Sequence, residues 1–228
     1  MIKAVLIDID DTLLDFKRSA EVSIIQSQRE SGITLPEGFI DVFITQNDAF
    51  WLKIERGEMT KEELHRVRWA TIFRLLGIDG DGEAFDDLFR KNLNYACIKV
   101  DGAEELLKYL SRYRLYGASN AHAEDYQKGR LLRAGLLDYF DGVFVSGAIG
   151  ANKPSKEFFD RCMQALGEII PDEVVMIGDS LTADVKGARD YGFNTIWLDR
   201  YGKAMGGEAD YTAHTLKEVE DIMRRHYE

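Results

Sequence analysis

The chain has 228 residues, of which 45% are hydrophobic and 30% are charged, and its formal net charge at pH 7 is −11. This composition is typical of a globular protein with one large domain, or with a core and a smaller inserted domain. The negative charge disfavours binding to nucleic-acid polymers and to anionic membranes, so we expect neither as a partner.

The first predicted element is a strand over Ala4–Ile9, a run rich in β-branched residues. The run is too short for a signal peptide, and no run reaches the length of a membrane span, so we expect a cytoplasmic protein. The strand ends with Asp8 and Asp10, which project to the same side because side chains alternate along a strand. Two neighbouring carboxylates repel each other, which favours a bound cation or a catalytic role over a solvated acidic turn.

After this strand, helical periodicity replaces strand patterns over residues 15–99. The four predicted helices are Lys17–Glu30, Gly38–Ile54, Lys61–Leu76 and Glu83–Tyr95. We therefore predict a four-helix cap over residues 15–99, inserted into a core that residues 1–14 and 100–228 form. An insertion at this point places the cap at the carboxyl ends of the strands, where open α/β folds bind ligands.

The third of these helices has a clear start. Thr60 and Glu63 match a capping box, in which a hydroxyl and a carboxylate bind the first free amides of a helix. A set of residues then recurs on one helical face, which we expect to be the packed face. The set comprises Leu64, Val67, Thr71 and Leu75.

Strands and helices alternate in the rest of the chain. The predicted strands are Leu115–Ala118, Gly142–Val145, Val174–Ile177 and Thr195–Leu198, and the helices are Ala103–Leu110, Tyr126–Ala134, Lys156–Leu166 and Ala183–Tyr191. Continuous apolar runs of this length are typical of strands covered on both faces. The alternation predicts the doubly wound α/β class, a Rossmann-like core with a parallel sheet.

Residues suited to phosphate binding lie at two points of this core. Ser119 and Asn120 follow the strand Leu115–Ala118 and can donate hydrogen bonds at its end. Lys153 precedes a proline and the next helix, where its ammonium group can neutralise a phosphoryl oxygen. The alternatives are an ordinary turn for the first pair and an exposed surface residue for the lysine.

A second strand delivers carboxylates to its end. The strand Val174–Ile177 is followed by Gly178 and Asp179, and Asp184 begins the next helical region. The alternative is a plain turn with a helix cap. In a parallel sheet, however, Asp8, Asp10 and Asp179 would converge. Such hard oxygen ligands suit Mg²⁺, which also binds the phosphate of a substrate.

Taken in chain order, these four signals resemble the haloacid dehalogenase superfamily of phosphatases. The matching segments are Asp8 to Leu13, Ser119–Asn120, Lys153–Pro154, and Gly178 to Ser180 with Asp184. A helical cap after the first motif also matches one subclass, so the resemblance spans the chain. It implies a Mg²⁺-dependent hydrolase that acts on a small phosphorylated metabolite.

The resemblance also implies a role for each motif residue. Asp8 would attack phosphorus to form an aspartyl phosphate, and Asp10 would protonate the leaving alcohol and later deprotonate water. Asp8, Asp179 and the backbone carbonyl of Asp10 would bind Mg²⁺. Asp184 would hold metal-bound water or orient Lys153. Ser119, Asn120 and Lys153 would stabilise the charge on the phosphoryl oxygens.

Within the superfamily, Asp10 favours phosphoester hydrolysis, because an alkoxide leaving group needs a proton and a halide does not. The stretch Ile177–Asp199 is similar to noncanonical pyrimidine nucleotidases, which are 5′-nucleotidases of the bacterial cytoplasm. This branch implies nucleoside monophosphates as substrates. In the cap, Phe50 and Trp51 are candidates to stack on a base and Arg56 to contact a polar edge. The alternative is that the aromatics pack in the bundle and Arg56 is solvated.

Other functions stay open on the sequence alone. A phosphatase for another small metabolite, such as phosphoglycolate or a sugar phosphate, would use the same core residues. A haloacid dehalogenase would not need Asp10. A non-catalytic binding protein would have no need of Asp8, Asp10, Lys153 and Asp179 together. The sequence gives no prediction of the oligomeric state.

Overall fold

The computed structural model describes residues 1–202 and 208–228 of the chain. These residues form two compact units. The first, here the α/β unit, comprises Met1–Asp15 and Lys99–Glu228, and the second, here the helical unit, comprises Phe16–Ile98. The junctions lie one residue from those expected for the core and the cap.

The α/β unit contains one parallel sheet of six strands. The strands are β1 Ala4–Ile7, β2 Arg114–Ser119, β3 Gly142–Val145, β4 Val174–Gly178, β5 Asn194–Leu198 and β6 Tyr211–Ala213. Their order across the sheet is β3-β2-β1-β4-β5-β6. This order confirms the predicted doubly wound core, although β6 was not predicted.

The central strand β1 sets the position of the candidate site. All its residues are buried, as expected for a strand covered on both faces. Ile7 is paired with Gly117 of β2 on one side and with Ile177 of β4 on the other. Because the three strands run in the same direction, their carboxyl ends meet at one edge of the sheet. This edge is where open α/β folds bind their ligands.

The helical unit has the predicted four helices, each within two residues of its expected ends. They are α1 Phe16–Ser31, α2 Phe39–Glu55, α3 Lys61–Leu76 and α4 Gly82–Leu93. The predicted capping box is also present. Thr60 Oγ1 accepts from the Glu63 amide at 3.1 Å, and the Thr60 amide donates to Glu63 Oε2 at 2.7 Å.

The predicted buried face of α3 was wrong in part, although its first residue, Leu64, is buried. Val67 and Leu75 are 36% and 54% exposed, and the buried residues of α3 include Trp69 and Phe73. The ring of Trp69 lies 4.5 Å from that of Phe85, measured between centroids. The large aromatic side chains bury more apolar area than valine or leucine, and they therefore decide which face packs.

Polar residues of α3 also contribute to this interior. Arg68 is buried, and its guanidinium forms a 2.7 Å ion pair with Asp86 of α4 and donates to Asn47 of α2 at 3.1 Å. Burial raises the pKa of Asp86, and Arg68 opposes this effect. These contacts join three helices of the unit. Loss of either partner of the buried ion pair would strongly destabilise the fold, because it leaves a buried charge without compensation.

Six α-helices follow among the described residues of the α/β unit. They are α5 Ala103–Leu110, α6 Glu124–Arg133, α7 Ser146–Ile149, α8 Lys156–Leu166, α9 Gly187–Tyr191 and α10 Leu216–His226, and a π-helical segment, Leu181–Lys186, precedes α9. Phe158, Phe159 and Cys162 of α8 pack with Leu6 and Met176 of the sheet. Within residues 1–202 and 208–228, every helix is too short or too polar to cross a membrane.

Candidate active site

Asp8 and Lys153 form the centre of the candidate site. Asp8 follows β1, and its amide still donates to Ile177 of β4 at 2.8 Å, which fixes its backbone at the end of the sheet. Lys153 is 1% exposed, and its Nζ donates to Asp8 Oδ1 and to Asp184 Oδ1, both at 2.7 Å. A third contact joins Nζ to the carbonyl of Ala118. The three hydrogen atoms of the ammonium group therefore all have acceptors.

The charges of these groups are strongly coupled. Burial raises the pKa of Asp8 to about 7, although Lys153 acts in the opposite direction. Burial, together with the charges of Asp8 and Asp11, raises the pKa of Asp179 well above its ordinary value. Burial also disfavours the charge of Lys153, but Asp184 and Asp8 outweigh it and raise the pKa of the ammonium group. The site holds more buried negative charge than one lysine neutralises.

This excess charge is compatible with a divalent cation. Carboxylate oxygens of Asp8, Asp179 and Asp184 lie within 4.8 Å of one another. Such a buried cluster of hard oxygen donors suits Mg²⁺, which prefers carboxylates and water as ligands. A cation there would also offset the repulsion that raises the pKa values of Asp8 and Asp179. The residues present therefore fit the predicted metal.

Gly178 allows Asp184 to approach the sheet closely. A Cβ atom at position 178 would lie 2.2 Å from Asp184 Oδ2, so any other residue would displace the carboxylate. Asp184 is buried in the π-helical segment, and its Oδ2 accepts from the Ser180 amide at 3.1 Å. Its two oxygens thus face Lys153 and the turn after β4. Short π-helical segments occur frequently at functional sites.

Asp10 points toward helix α6. Its Oδ1 accepts from Arg130 Nη1 at 2.6 Å, and its Oδ2 accepts from Gln127 Nε2 at 2.8 Å. The chain turns directly after Asp10, where Asp11 adopts a φ of 59°, a left-handed conformation that aspartate tolerates better than most residues. The side chain of Asp10 is one-third exposed, in contrast to the buried residues that hold it.

Ser119 and Asn120 lie near this group but have different contacts. Ser119 is 2% exposed, and its Oγ accepts from Gln127 Nε2 at 3.0 Å. The amide group of Asn120 instead binds both sides of the Lys153 backbone, accepting from its N–H and donating to its C=O at 2.8 Å each. The side chain of Asn120 therefore fixes the loop that carries Lys153.

Arg200, which is not among the predicted site residues, holds the turn after β1. Its Nη2 lies 2.7 Å from Asp15 Oδ2, and its Nη1 donates to the Asp11 carbonyl at 3.3 Å. Arg200 follows β5 by two residues, so it lies at the same edge of the sheet. The signal available in the sequence was a positively charged residue just after the predicted strand Thr195–Leu198.

The three cap candidates have different environments within the helical unit. Phe50 is 7% exposed and belongs to an apolar cluster with Ile54 and Leu64, against which Trp51 packs in part. Arg56 is exposed and ends α2, where its amide donates to the carbonyl of Leu52. The packing interpretation therefore describes Phe50, whereas Arg56 and part of Trp51 are accessible.

Several known proteins are similar to this chain over most of its length. The pyrimidine 5′-nucleotidase PynA of Streptococcus pneumoniae is 34% identical over 199 residues, which cover 86% of this chain and 84% of PynA. The pyrimidine 5′-nucleotidase YjjG of Escherichia coli is 24% identical over 224 residues, which cover 97% of this chain and 98% of YjjG.

A third relative has a solved structure. The HAD-hydrolase YfnB of Bacillus subtilis, in a magnesium-bound crystal form, matches with a TM-score of 0.91 and 29% identity, over 97% of this chain and 98% of YfnB. A family model for haloacid dehalogenase-like hydrolases matches residues 2–192. The predicted resemblance is confirmed: the chain belongs to the haloacid dehalogenase-like hydrolase family and is an enzyme.

Proposed function

We propose that this chain is a Mg²⁺-dependent phosphomonoesterase that uses Asp8 as a nucleophile and prefers nucleoside 5′-monophosphates. The position of Asp8 is the observation that carries the proposal. A carboxylate with a pKa raised by burial lies 2.7 Å from a buried ammonium group and beside Asp179 and Asp184. A fold gains no stability from crowding carboxylates in this way, so the arrangement is better explained by chemistry.

In the first half-reaction, an Asp8 oxygen attacks phosphorus. The new bond joins Asp8 to the phosphoryl group as the bond to the ester oxygen breaks, and Asp10 gives its proton to that oxygen. Both Asp10 oxygens accept hydrogen bonds in the structure, from Arg130 and Gln127. Each carboxyl oxygen has two lone-pair sites, so Asp10 can carry the proton for the ester oxygen while it keeps both of these partners.

In the second half-reaction, water attacks the aspartyl phosphate. Asp10, now a carboxylate, takes a proton from this water, and the bond between Asp8 and phosphorus breaks to release inorganic phosphate. The proposed donors to the phosphoryl oxygens in both steps are the Ser119 hydroxyl and Lys153, which would exchange its contact with Asp8 for one with the phosphoryl group. Asn120 supports them by holding the backbone of Lys153.

Asp8 and Asp179, with the backbone carbonyl of Asp10, are the proposed ligands of Mg²⁺. When bound, the cation supplies charge neutralisation that lets an anionic substrate approach an anionic nucleophile. The magnesium-bound crystal form of YfnB supports this choice of metal. Asp184 lies in the same cluster, and its contact with Lys153 supports the role of orienting that lysine.

The choice of nucleotides as substrates rests on the relatives. PynA and YjjG are both pyrimidine 5′-nucleotidases, and the match to each covers more than four-fifths of both chains. Fold and core residues alone would equally serve other phosphomonoesters, because substrate selection depends on groups outside the reacting centre. The preference for pyrimidine nucleotides is therefore the part of the proposal that a substrate panel tests.

In that panel, phosphate release should be fastest from pyrimidine nucleoside monophosphates such as UMP and dTMP. Purine monophosphates should be slower, as the pyrimidine nucleotidases PynA and YjjG suggest. Triphosphates should be slower because a terminal monoester presents a single phosphoryl group to a single cation. The measurement is kcat/KM for each compound with Mg²⁺, alongside phosphoglycolate, glucose 6-phosphate and p-nitrophenyl phosphate. Chloride release from 2-chloropropionate should be absent.

Two outcomes would correct the proposal at different levels. If phosphoglycolate or a sugar phosphate exceeds every nucleotide in kcat/KM, the enzyme is a phosphomonoesterase and the nucleotidase assignment is wrong. If no phosphate ester is hydrolysed and chloride is released instead, the phosphatase assignment itself is wrong.

Substitutions in the cap should separate packing from substrate recognition. Phe50→Ala should lower the free energy of unfolding by about 3–5 kcal/mol, because it leaves a cavity between Ile54 and Leu64. It should reduce kcat/KM for UMP and for p-nitrophenyl phosphate by the same factor. Arg56→Ala should leave stability within about 0.5 kcal/mol. If Arg56 contacts the nucleoside, this variant should lower kcat/KM for UMP alone, and Trp51→Ala should do the same.

Arg74→Ala is a matched control, since Arg74 is an exposed arginine of the neighbouring helix α3. Chemical denaturation curves and kcat/KM values, measured on the same preparations, give both readouts. Equal losses on both substrates in Arg56→Ala and Trp51→Ala would show that neither side chain selects the nucleoside. A loss confined to UMP in Phe50→Ala would contradict the packing interpretation.

A further inference from the structure

Two buried polar residues of α6 lie behind Asp10. Gln127 and Arg130 are 0% and 2% exposed, and both bind the Asp10 carboxylate. They are separated by three positions, so they lie on the same face of the helix. Burying an arginine and a glutamine is costly unless they are well paired, and a helix could be anchored to the sheet more cheaply by leucine.

The orientation of the Gln127 amide follows from its partners. Arg130 Nη1 lies 3.2 Å from Gln127 Oε1, and a guanidinium can only donate. The amide oxygen must therefore face Arg130, which turns the NH₂ group toward Asp10 and Ser119. The two N–H bonds match these two acceptors, at 2.8 Å to Asp10 Oδ2 and 3.0 Å to Ser119 Oγ.

This orientation has a consequence for Ser119. Because Gln127 donates to Ser119 Oγ, the serine hydroxyl accepts on that side and its own hydrogen must point elsewhere. In the proposed function, the phosphoryl group binds at Asp8 and Lys153. The contact with Gln127 leaves the Ser119 hydrogen available as a donor to a phosphoryl oxygen, while the same amide group binds the carboxylate of Asp10.

We propose that Gln127, oriented by Arg130, is a positioning residue that couples the acid–base group Asp10 to the phosphate donor Ser119. This inference rests on the proposed function. The proposed role is to orient these two groups. A misplacement of a reacting group by about 1 Å can cost on the order of 100-fold in rate. Gln127 acts through Asp10 during bond cleavage and through Ser119 during phosphate binding, so the two contacts are measurable separately.

The contact with Asp10 is tested by Gln127→Met, which keeps the length of the side chain and removes both donors. The probes are phenyl phosphate and p-nitrophenyl phosphate, which share a ring but differ in how strongly the leaving group needs a proton. We expect kcat/KM to fall by about 10- to 100-fold for phenyl phosphate and by clearly less for p-nitrophenyl phosphate. The ratio of the two values is independent of the fraction of folded enzyme.

The contact with Ser119 is tested by Gln127→Glu, a change of nearly equal volume. The new carboxylate can still face Arg130, but toward Ser119 it offers an acceptor in place of a donor. The serine hydrogen is then drawn away from the phosphate. We expect the inhibition constant for inorganic phosphate to rise by about tenfold, because one hydrogen bond to a charged group is lost.

Gln164→Met and Arg133→Met are the matched controls. Gln164 is an exposed glutamine of α8, and Arg133 is an exposed arginine one turn after Arg130 on α6. Both should leave the substrate ratio and phosphate inhibition unchanged. If Gln127→Met does not accumulate, Gln127→Asn, which keeps the amide but withdraws it, should shift the ratio in the same direction.

An unchanged ratio of phenyl to p-nitrophenyl phosphate in the Gln127 variants, with unchanged phosphate inhibition, would overturn the inference. An equal loss on both substrates would do so as well, because it would show a purely structural role. These results leave the proposed function intact if Asp8→Asn, assayed in parallel, is inactive. Activity in Asp8→Asn would instead overturn the proposed function.

Discussion

Asp8→Asn is expected to lower kcat by about 10⁴-fold or more, because the amide cannot form the bond to phosphorus and no neighbouring group replaces it. The fold should survive. Lys153 keeps Asp184 and the Ala118 carbonyl as acceptors, and the change removes one charge from a crowded buried cluster. Phosphate release and thermal unfolding should be measured on the same samples.

Asp172→Asn provides the control for this variant. Asp172 is an exposed residue just before β4, so it lies at the opposite end of that strand from Asp179. It should retain normal kcat. Acid quenching with phosphate-labelled substrate should leave label on the wild-type protein and none on Asp8→Asn. Turnover near the wild-type rate in Asp8→Asn would exclude a covalent intermediate at this residue.

Removal of divalent cations is expected to abolish activity. Without a cation, the carboxylates of Asp8, Asp179 and Asp184 repel an anionic substrate, and Lys153 alone does not neutralise them. After EDTA treatment and dialysis, phosphate release should fall to background and return on addition of Mg²⁺. Ca²⁺ should inhibit, since its larger and looser coordination sphere holds the phosphate poorly for attack.

A thermal measurement tests the same site without turnover. A carboxyl group whose folded-state pKa is raised is less favourable as an anion in the folded chain than in the unfolded one. Asp8 and Asp179 are such groups, so Mg²⁺ should raise Tm by relieving their repulsion. Asp179→Asn should raise the Tm of the metal-free protein and reduce its response to Mg²⁺.

The responses of Asp172→Asn to Mg²⁺ should match the wild type. Full activity after exhaustive chelation would exclude a catalytic metal. An unchanged Tm on addition of saturating Mg²⁺, in a protein that is active, would show that the cation does not bind the carboxylate cluster.

The sheet and its reacting end could be predicted because their signals are local. β1 and β4 are continuous apolar runs and β2 contains one, Leu115–Ala118, and each run is followed at once by polar residues or by Gly178 and Asp179. Parallel strands place such residues at one edge whatever lies between them in the chain. The predicted end of β1 at Ile9 was too late, because the Ile9 carbonyl accepts from the Leu13 and Leu14 amides and the chain turns there.

The contacts of Asp10 could not be predicted in the same way. Gln127 and Arg130 are 117 and 120 positions from Asp10, and a polar pair on one helical face is typical of a solvated surface. Their spacing on the first helix after Ser119 was the only available signal. The buried face of α3 was misjudged for a related reason, since Trp69 and Phe73 pack according to partners on other helices.

Two elements in the last part of the chain were not predicted: the sequence signal for β6 is weak, and the one for α10 was missed. β6 has only three residues, and Ala213 alone is buried, so its pattern is too short to distinguish from a loop. The helix α10 had a detectable start. Thr215 Oγ1 accepts from the Glu218 amide at 3.1 Å, and Thr215 and Glu218 have the same spacing as Thr60 and Glu63.

The segment that carries the helical unit leaves and re-enters the α/β unit at neighbouring points. Leu14 forms a bridge with Lys99, and the Val100 amide donates to the Leu13 carbonyl at 2.9 Å. A stretch whose ends are already adjacent imposes little loop-closure entropy on its host, and its length has little effect on the host's folding. During evolution, this stretch can be lengthened, shortened or exchanged while β1 and its acidic turn are retained.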